Sequence, residues 1–137
     1  YMHSLGIEKP IHIGETGWAT VSTDFYGELG TCAADEYKQQ AYFIGINDWA
    51  KANGISVFFF EAFDEAWKDF NNPSGSENHF GLFTLQGKAK YAVWSHYDLD
   101  ALSVYSRDGK RLNKTYNGVA DSLKSNVREG KIFKYGI

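Results

Sequence analysis

ISVFFFEA (Ile55–Ala62) is a nearly continuous apolar run, rich in aromatic residues, within a chain of 137 residues. Such a run is typical of a strand that is buried on both faces, as in a parallel sheet covered by helices. Upstream, KPIHIGE (Lys9–Glu15) alternates Ile11 and Ile13 with smaller or polar residues. This alternation predicts a second short strand, which Pro10 can open.

The segment between these two strands predicts a helix from about Ala33 to Asn53, after a loop. Its apolar residues follow helical spacing. Asp35 and Glu36 fall in the first turn, where carboxylates interact favourably with the helix dipole. Gly54 supplies the left-handed residue that ends the helix. Because antiparallel hairpins need far shorter connections, strand, helix and strand predict a βαβ unit and an α/β fold.

Further elements are predicted downstream of the second strand. Lys88 and Lys90 are interpreted as the solvated end of a helix. In chain order, the predictions are a loop at Phe63–Asn78, a helix at Lys88–Tyr97, a hairpin with Asp108-Gly109 between Leu102–Ser106 and Lys110–Asn113, a helix at Val119–Glu129, and a short edge strand at Ile132–Tyr135.

The composition excludes several classes of function. A net charge of −3 gives no electrostatic footprint for nucleic acid or an anionic membrane. No apolar run is long enough to span a bilayer, and Tyr1–Pro10 does not resemble a signal peptide. With one cysteine and scattered histidines, neither an internal disulfide nor a metal site is expected. The aromatic content of 17% suits sugar stacking, although composition alone favours core packing.

Two carboxylates follow the predicted strands. Glu15 ends the first strand, and Glu65 lies just past the second. In an α/β barrel the catalytic groups lie at the carboxyl ends of strands, and a glycosidase needs two carboxyl groups there. On spacing alone, solvated loop residues or salt-bridge partners remain the commoner explanation.

Three motifs in order narrow these alternatives: GETGW (Gly14–Trp18), FEAFDEAWK (Phe60–Lys68) and HFGLF (His79–Phe83), with Glu77 before the third. Together they resemble glycoside hydrolase family 17 over about Lys9–Trp94. That family comprises β-1,3-glucan endohydrolases and related glucanosyltransferases on a (β/α)8 TIM barrel. The second motif is closer to the microbial branch than to the plant enzymes.

The resemblance implies a catalytic site. Glu15 matches the nucleophile at the end of the seventh barrel strand, and Lys68 is expected to favour its ionised form or to balance Glu65 and Glu77. Glu61 matches a position that other branches fill with an apolar residue, so a structural role is expected there. The family's acid/base follows the fourth strand and has no match in this chain. The implied substrate-binding residues are Trp18, Asp64, Glu65, Lys68 and Glu77.

The resemblance therefore predicts a retaining hydrolase of β-1,3-glucan that acts through a glycosyl-enzyme intermediate on Glu15. A glucanosyltransferase and a non-catalytic glucan-binding fragment remain alternatives. Residues 1–97 are expected to form the last quarter of the barrel, strands seven and eight with their helices, and residues 98–137 an extension of unknown role. The isolated chain is expected to be inactive and to need the preceding part of the barrel. No metal, cofactor, nucleic acid or membrane partner is expected, and a polymeric substrate implies an extracellular, periplasmic or cell-surface location.

Overall fold

The computed structural model describes residue 1 and residues 3–22, 33–97 and 104–127. No helix among these residues is long and apolar enough to cross a membrane. Short 3-10 turns lie at His3–Leu5, Ser76–Asn78 and Thr115–Gly118. The helices and strands are, in chain order, β1 (His12–Thr16), α1 (Glu36–Asn53), β2 (Ser56–Phe59), β3 (Lys88–Ala89), α2 (Tyr91–Trp94), β4 (Ser106–Arg107), β5 (Lys110–Arg111), β6 (Asn113–Lys114) and α3 (Ala120–Lys124).

The predicted βαβ unit is confirmed, because β1 and β2 pair in parallel with α1 between them in the chain. The register joins Ile13 to Val57 and then Thr16 to Phe59. Between these pairs β1 therefore contains one residue more than β2, which is a bulge at Gly14-Glu15. The backbone N–H of Phe60 donates to the Thr16 carbonyl at 2.7 Å, so the two strands end side by side.

Helix α1 begins and ends where its capping residues allow. Asp35 is extended and its carboxylate accepts the Lys38 backbone N–H at 2.7 Å, so the helix begins at Glu36 rather than at Ala33. The side chain thereby satisfies a first-turn donor that has no partner within the helix. Gly54 takes the left-handed conformation at φ 63°, which confirms the predicted end.

The prediction that β2 is buried on both faces is wrong for the described structure. Phe59 packs edge-on against Phe43 of α1, with ring centroids 5.0 Å apart. Phe58 points the other way, because side chains alternate along a strand, and it is 64% exposed. Helix α1 therefore covers one face of the strand pair, and the face that carries Phe58 is open.

The predicted helix at Lys88–Tyr97 is much shorter than expected. Lys88–Ala89 is instead a strand that pairs in parallel with β6, and α2 covers only Tyr91–Trp94. Lys90, between the two, is extended and only 2% exposed, so its interpretation as a solvated helix end is wrong. The backbone of β3 pairs with β6, and the Lys90 ammonium donates hydrogen bonds to acceptors in distant loops.

The C-terminal segment packs against the βαβ unit. The predicted hairpin is confirmed as β4 and β5, with Asp108 and Gly109 both at positive φ, as a two-residue turn of this kind requires. The Thr115 hydroxyl, just past β6, donates to Glu36 of α1 at 2.7 Å. Helix α3 lies within the predicted Val119–Glu129, whereas the predicted edge strand at Ile132–Tyr135 lies outside the described residues.

Candidate active site

Glu15 lies on the open face of the strand pair. The neighbouring Thr16 hydroxyl contacts the Tyr42 hydroxyl of α1, which places Thr16 on the helix-covered face. Because consecutive side chains in a strand point to opposite faces, Glu15 lies on the same open side as Phe58. Glu15 is exposed, and no hydrogen bond or ion pair joins its carboxylate to another described residue. Its carboxylate is thus free to meet an incoming group.

A cluster of two carboxylates and one ammonium follows β2. Lys68 Nζ lies 2.8 Å from Glu61 Oε2 and 3.0 Å from Glu65 Oε2. The same ammonium lies 3.8 Å from the centroid of the Phe60 ring, which is a cation–π distance. Glu61 Oε1 is buried and has no hydrogen-bond partner among the described residues. Lys68 therefore contacts Glu61 and Glu65, rather than Glu15 or Glu77.

The two carboxyl groups of this cluster have different environments. Burial raises the pKa of Glu61 above its usual value, although Lys68 opposes the change. The hydrogen bond from Lys68 lowers the pKa of the more exposed Glu65. Burial alone would lower the pKa of Lys68, but its bonds to the two carboxylates raise it. The cluster therefore holds Glu65 ionised more firmly than Glu61.

A second charged network joins the loops that follow β1 and β2. Lys90 Nζ donates to Asp64 Oδ1 and to the Thr20 hydroxyl, both at 2.7 Å, and to the His79 carbonyl at 3.3 Å. Asp64 Oδ1 also accepts the Gly81 backbone N–H at 3.0 Å. A cavity of about 490 Å³ borders this network. Since all three ammonium hydrogens have acceptors, Lys90 braces the two loops.

His79 couples this network to pH. Its Nδ1 lies 3.8 Å from Asp64 Oδ2, and its Nε2 lies 2.8 Å from the Pro73 carbonyl. The Asp64 carboxylate raises the pKa of His79, against the effects of burial and of Lys90. Protonation therefore favours the folded state. The stabilisation of the folded state by protonated His79 is complete below the ordinary histidine pKa of about 6.5. It is lost as the pH rises through the raised pKa of His79.

We expect His79→Gln to reduce the decrease in the free energy of unfolding between pH 6 and pH 8. Because glutamine cannot gain a proton in that range, the part of the pH dependence of stability that comes from His79 disappears. Denaturant unfolding at a series of pH values measures the slope. The same change at His96, which is exposed near the end of α2, is the control. An unchanged slope in His79→Gln would contradict the assignment.

Gly17 of the first motif is placed where the two loops touch. A Cβ built on Gly17 would lie 1.9 Å from the Phe60 carbonyl oxygen, whereas one on Gly14 would meet nothing within 4 Å.

We expect Gly17→Ala to lower the free energy of unfolding by about 3 kcal/mol, because a backbone carbonyl must move. Gly14→Ala, in the same motif, is the control and is expected to change it by less than about 1 kcal/mol. Equal thermal unfolding of the two variants would refute the close approach.

The remaining predicted site residues occupy different surroundings. The Trp18 indole donates to the Ala33 carbonyl at 3.0 Å and packs against Tyr42 of α1, with ring centroids 5.3 Å apart. Asp64 is buried in the Lys90 network, and Glu77 is exposed in the 3-10 turn at Ser76–Asn78. The substrate-binding roles of these three residues remain predictions, as do those of Glu65 and Lys68.

Sequence reasoning missed two polar residues that organise the site, Gln39 and Lys90. Gln39 is fully buried, and its amide donates to the carbonyls of Trp18, Phe80 and Gly81, which ties the first motif to the third. Its position four residues before buried Phe43, on the same face of α1, was the available signal. Lys90 gave no comparable signal, since its partners come from other loops. The ion pair of Glu61 with Lys68 agrees with the structural role expected for Glu61. The described residues include no group of three or more His, Cys, Asp or Glu side chains that could hold a metal ion.

Residues 3–94 match the family model described as glycosyl hydrolases family 17. The chain belongs to this family. The match confirms the resemblance carried by the three motifs, all of which lie within it. The matched residues include Glu15 on β1 and the charged cluster after β2, and the family is one of enzymes that hydrolyse glycosidic bonds.

Solved structures and curated relatives agree with this membership of family 17. An endo-laminarinase from Formosa Hel1_33_131 is 48% identical with a TM-score of 0.86, and the alignment covers 99% of this chain and 36% of that one. A glucan 1,3-beta-glucosidase from Saccharomyces cerevisiae is 38% identical over 86 residues, which are 59% of this chain and 25% of the relative. A beta-1,3-glucanosyltransferase from Rhizomucor miehei is 26% identical with a TM-score of 0.51, over 68% of this chain and 32% of that one.

The relatives differ in how much of the chain they match, and the difference falls on the C-terminal segment. The chain spans between a quarter and about a third of the length of these relatives. The yeast relative matches little more than half of it, whereas the Formosa structure matches almost all of it, including the segment after residue 97. That C-terminal segment, for which the sequence offered no counterpart, is therefore covered by the match to the Formosa endo-laminarinase.

Proposed function

We propose that this chain supplies the nucleophile of a retaining β-1,3-glucan hydrolase, with Glu15 as that nucleophile. The observation that carries the proposal is the position of Glu15. It is an exposed carboxylate at the carboxyl end of β1, on the face that α1 leaves open, within the family 17 match. Catalytic groups of α/β barrels come from such strand ends.

The barrel assignment is part of the same proposal. We assign β1 and β2 to the seventh and eighth strands of a (β/α)8 barrel, with the preceding strands contributed by the rest of the protein. Parallel pairing, a helix on one face and the open face carrying Phe58 support this assignment. In a complete barrel, inward-facing side chains fill the interior, which accounts for a bulky aromatic residue on the uncovered side.

The proposed reaction uses two carboxyl groups. The Glu15 carboxylate attacks the anomeric carbon as the glycosidic C–O bond breaks, and an acid/base from the earlier part of the barrel protonates the departing oxygen. Water then attacks the glycosyl-enzyme, transfers its proton to the same acid/base and releases Glu15. Two inversions retain the configuration, and the two carboxyl groups are expected about 5–5.5 Å apart.

The cluster after β2 is proposed to bind sugar hydroxyls beside this centre. Glu65 is ionised and partly exposed, so it can accept hydrogen bonds, while Lys68 balances its charge. Glu61 holds Lys68 from the buried side at 2.8 Å. We include Trp18, Asp64 and Glu77 in the same cleft, since family motifs assign them there.

Hydrolysis is preferred here over transfer to a second glucan. The Formosa structure that matches nearly the whole chain is an endo-laminarinase, whereas the glucanosyltransferase matches 68% of it at lower identity. Because a polymeric glucan does not enter cells, we further propose an extracellular, periplasmic or cell-surface location. Product analysis on laminarin distinguishes shorter chains from elongated ones.

A trapping experiment tests the nucleophile directly. A 2-deoxy-2-fluoro-laminaribioside with a dinitrophenolate leaving group is incubated with the chain, alone and joined to the preceding part of the barrel. That leaving group needs little acid assistance, and the fluorine slows hydrolysis of the intermediate. Peptide mass spectrometry is expected to find the disaccharide on Glu15. Labelling of Glu61 or Glu65 instead, or no labelling of the joined protein, would overturn the proposal.

A further inference from the structure

The loop after β2 exposes a large aromatic side chain beside the Glu65–Lys68 pair. Trp67 is 71% exposed, although tryptophan is normally well buried. The part of the chain that the structure describes contains other exposed aromatic residues, but Trp67 directly adjoins the charged cluster of the candidate site.

The backbone that carries Trp67 is held on both sides. Asn78 is 3% exposed; its carbonyl accepts the Glu65 backbone N–H at 3.3 Å, and its side-chain oxygen accepts that of Asp69 at 2.8 Å. The Asn78 amide donates to the Asp69 carbonyl at 2.9 Å and to the Asn72 carbonyl at 3.1 Å. The backbone carbonyl of Asn78 therefore braces the loop two residues before the exposed indole, and its buried side chain braces the loop two residues after it.

The indole lies beside the charged cluster. The ammonium of Lys68 lies 5.9 Å from the centroid of the Trp67 ring. Lys68 is in turn fixed by Glu61 and by the Phe60 ring. A flat apolar surface is thus presented to solvent by a rigid, polar support, which is the arrangement of a preorganised binding surface.

We propose that the exposed face of Trp67 is a stacking platform for one glucose ring of a β-1,3-glucan, next to the Glu65–Lys68 pair. The C–H groups on the face of a glucose ring are attracted to the negative face of an aromatic ring. The neighbouring ionised Glu65 accepts hydroxyl hydrogens from the same sugar. The platform rests on the proposed function, because it takes the glucan that Glu15 would cleave.

The platform is tested by isothermal titration calorimetry of laminari-oligosaccharides of two to six glucose units. The protein is the chain joined to the preceding part of the barrel and carrying Glu15→Gln, which prevents hydrolysis of the ligand. Trp67→Ala is expected to weaken binding at least about tenfold, the equivalent of one lost ring contact. This loss is confined to oligosaccharides long enough to reach the platform, whereas misfolding would weaken binding at every length. Trp67→Phe keeps a smaller ring and is expected to recover part of the affinity. Trp49→Ala, an exposed indole on α1, is the matched control and is expected to bind normally.

The outcomes separate the platform from the proposed function. Unchanged binding by Trp67→Ala at every length overturns the platform and leaves the glucan-binding function intact. A loss that is equal at all lengths and accompanied by a lower melting temperature also overturns it, because it assigns Trp67 to folding. Absence of binding by the joined protein with Trp67 intact overturns both. A length-dependent loss that Trp67→Phe partly restores supports the platform.

Discussion

Glu15→Gln is expected to reduce laminarin hydrolysis by the complete enzyme at least about 1,000-fold, which is about 4 kcal/mol of transition-state stabilisation. The amide keeps the size of the side chain but cannot displace the glycosidic oxygen. The Glu15 carboxylate makes no hydrogen bond or ion pair to another described residue, so the change is expected to leave the fold unaltered. Initial rates of reducing-end release, with circular dichroism as the check on folding, measure the effect.

A rescue experiment identifies the chemical role that has been lost. In Glu15→Gly, azide can enter the vacated space and attack the anomeric carbon of a dinitrophenyl laminaribioside. It then forms a carbon–nitrogen bond as dinitrophenolate departs, and the product is the inverted α-glycosyl azide. Asp48→Asn, an exposed carboxylate on α1, is the control and should retain full activity. Substantial activity in Glu15→Gln, or a β-configured azide product, would exclude Glu15 as the nucleophile.

Lys90→Met is expected to lower the free energy of unfolding by about 3–5 kcal/mol. The substitution keeps an unbranched apolar stem but removes the ammonium that compensates Asp64, and an uncompensated buried charge is costly. Thr20 Oγ and the His79 carbonyl lose their donor at the same time. Both loops of the candidate site depend on this brace, so stability and site geometry should decline together. Urea unfolding of the purified chain measures the effect.

Lys88→Met is the matched control for this change. Lys88 is exposed two positions earlier, so its replacement should alter stability by no more than about 0.5 kcal/mol. Asp64→Asn combined with Lys90→Met removes both charges and should recover part of the loss. Equal effects of the two lysine substitutions would contradict the burial of Lys90.

Part of the candidate site could be predicted because it depends on short stretches of sequence. The first motif combines a strand end with Glu15, and the parallel strands bring that end beside the loop containing Glu65 and Lys68. The roles of these residues rest on the family motifs, which the family 17 match supports as a family and leaves as predictions residue by residue. Of the two ion-pair partners of Lys68, Glu65 was predicted and Glu61 was not. The partners of Asp64 could not be predicted, since this charge had several candidate partners along the chain.

The sequence by itself determined the features that depend on neighbouring residues. The spacing of apolar residues defined α1 and the two parallel strands, Gly54 ended the helix, and Asp108-Gly109 formed the hairpin turn. Three ordered motifs placed the chain in its family. Each of these signals lies within a few turns of helix or a few residues of strand, where propensity and periodicity act.

Only the tertiary structure decided which polar groups are buried and which groups they hydrogen-bond or pair with. Lys90 reaches Asp64, 26 residues away, and Thr20, 70 residues away. The Glu36 carboxylate accepts a hydrogen bond from the Thr115 hydroxyl, 79 residues away. Thr115 follows β6, the strand that pairs with β3 where the sequence predicted a helical turn. Local propensity carries no information about such distant acceptors, and a charged side chain enters the interior only where they are already assembled.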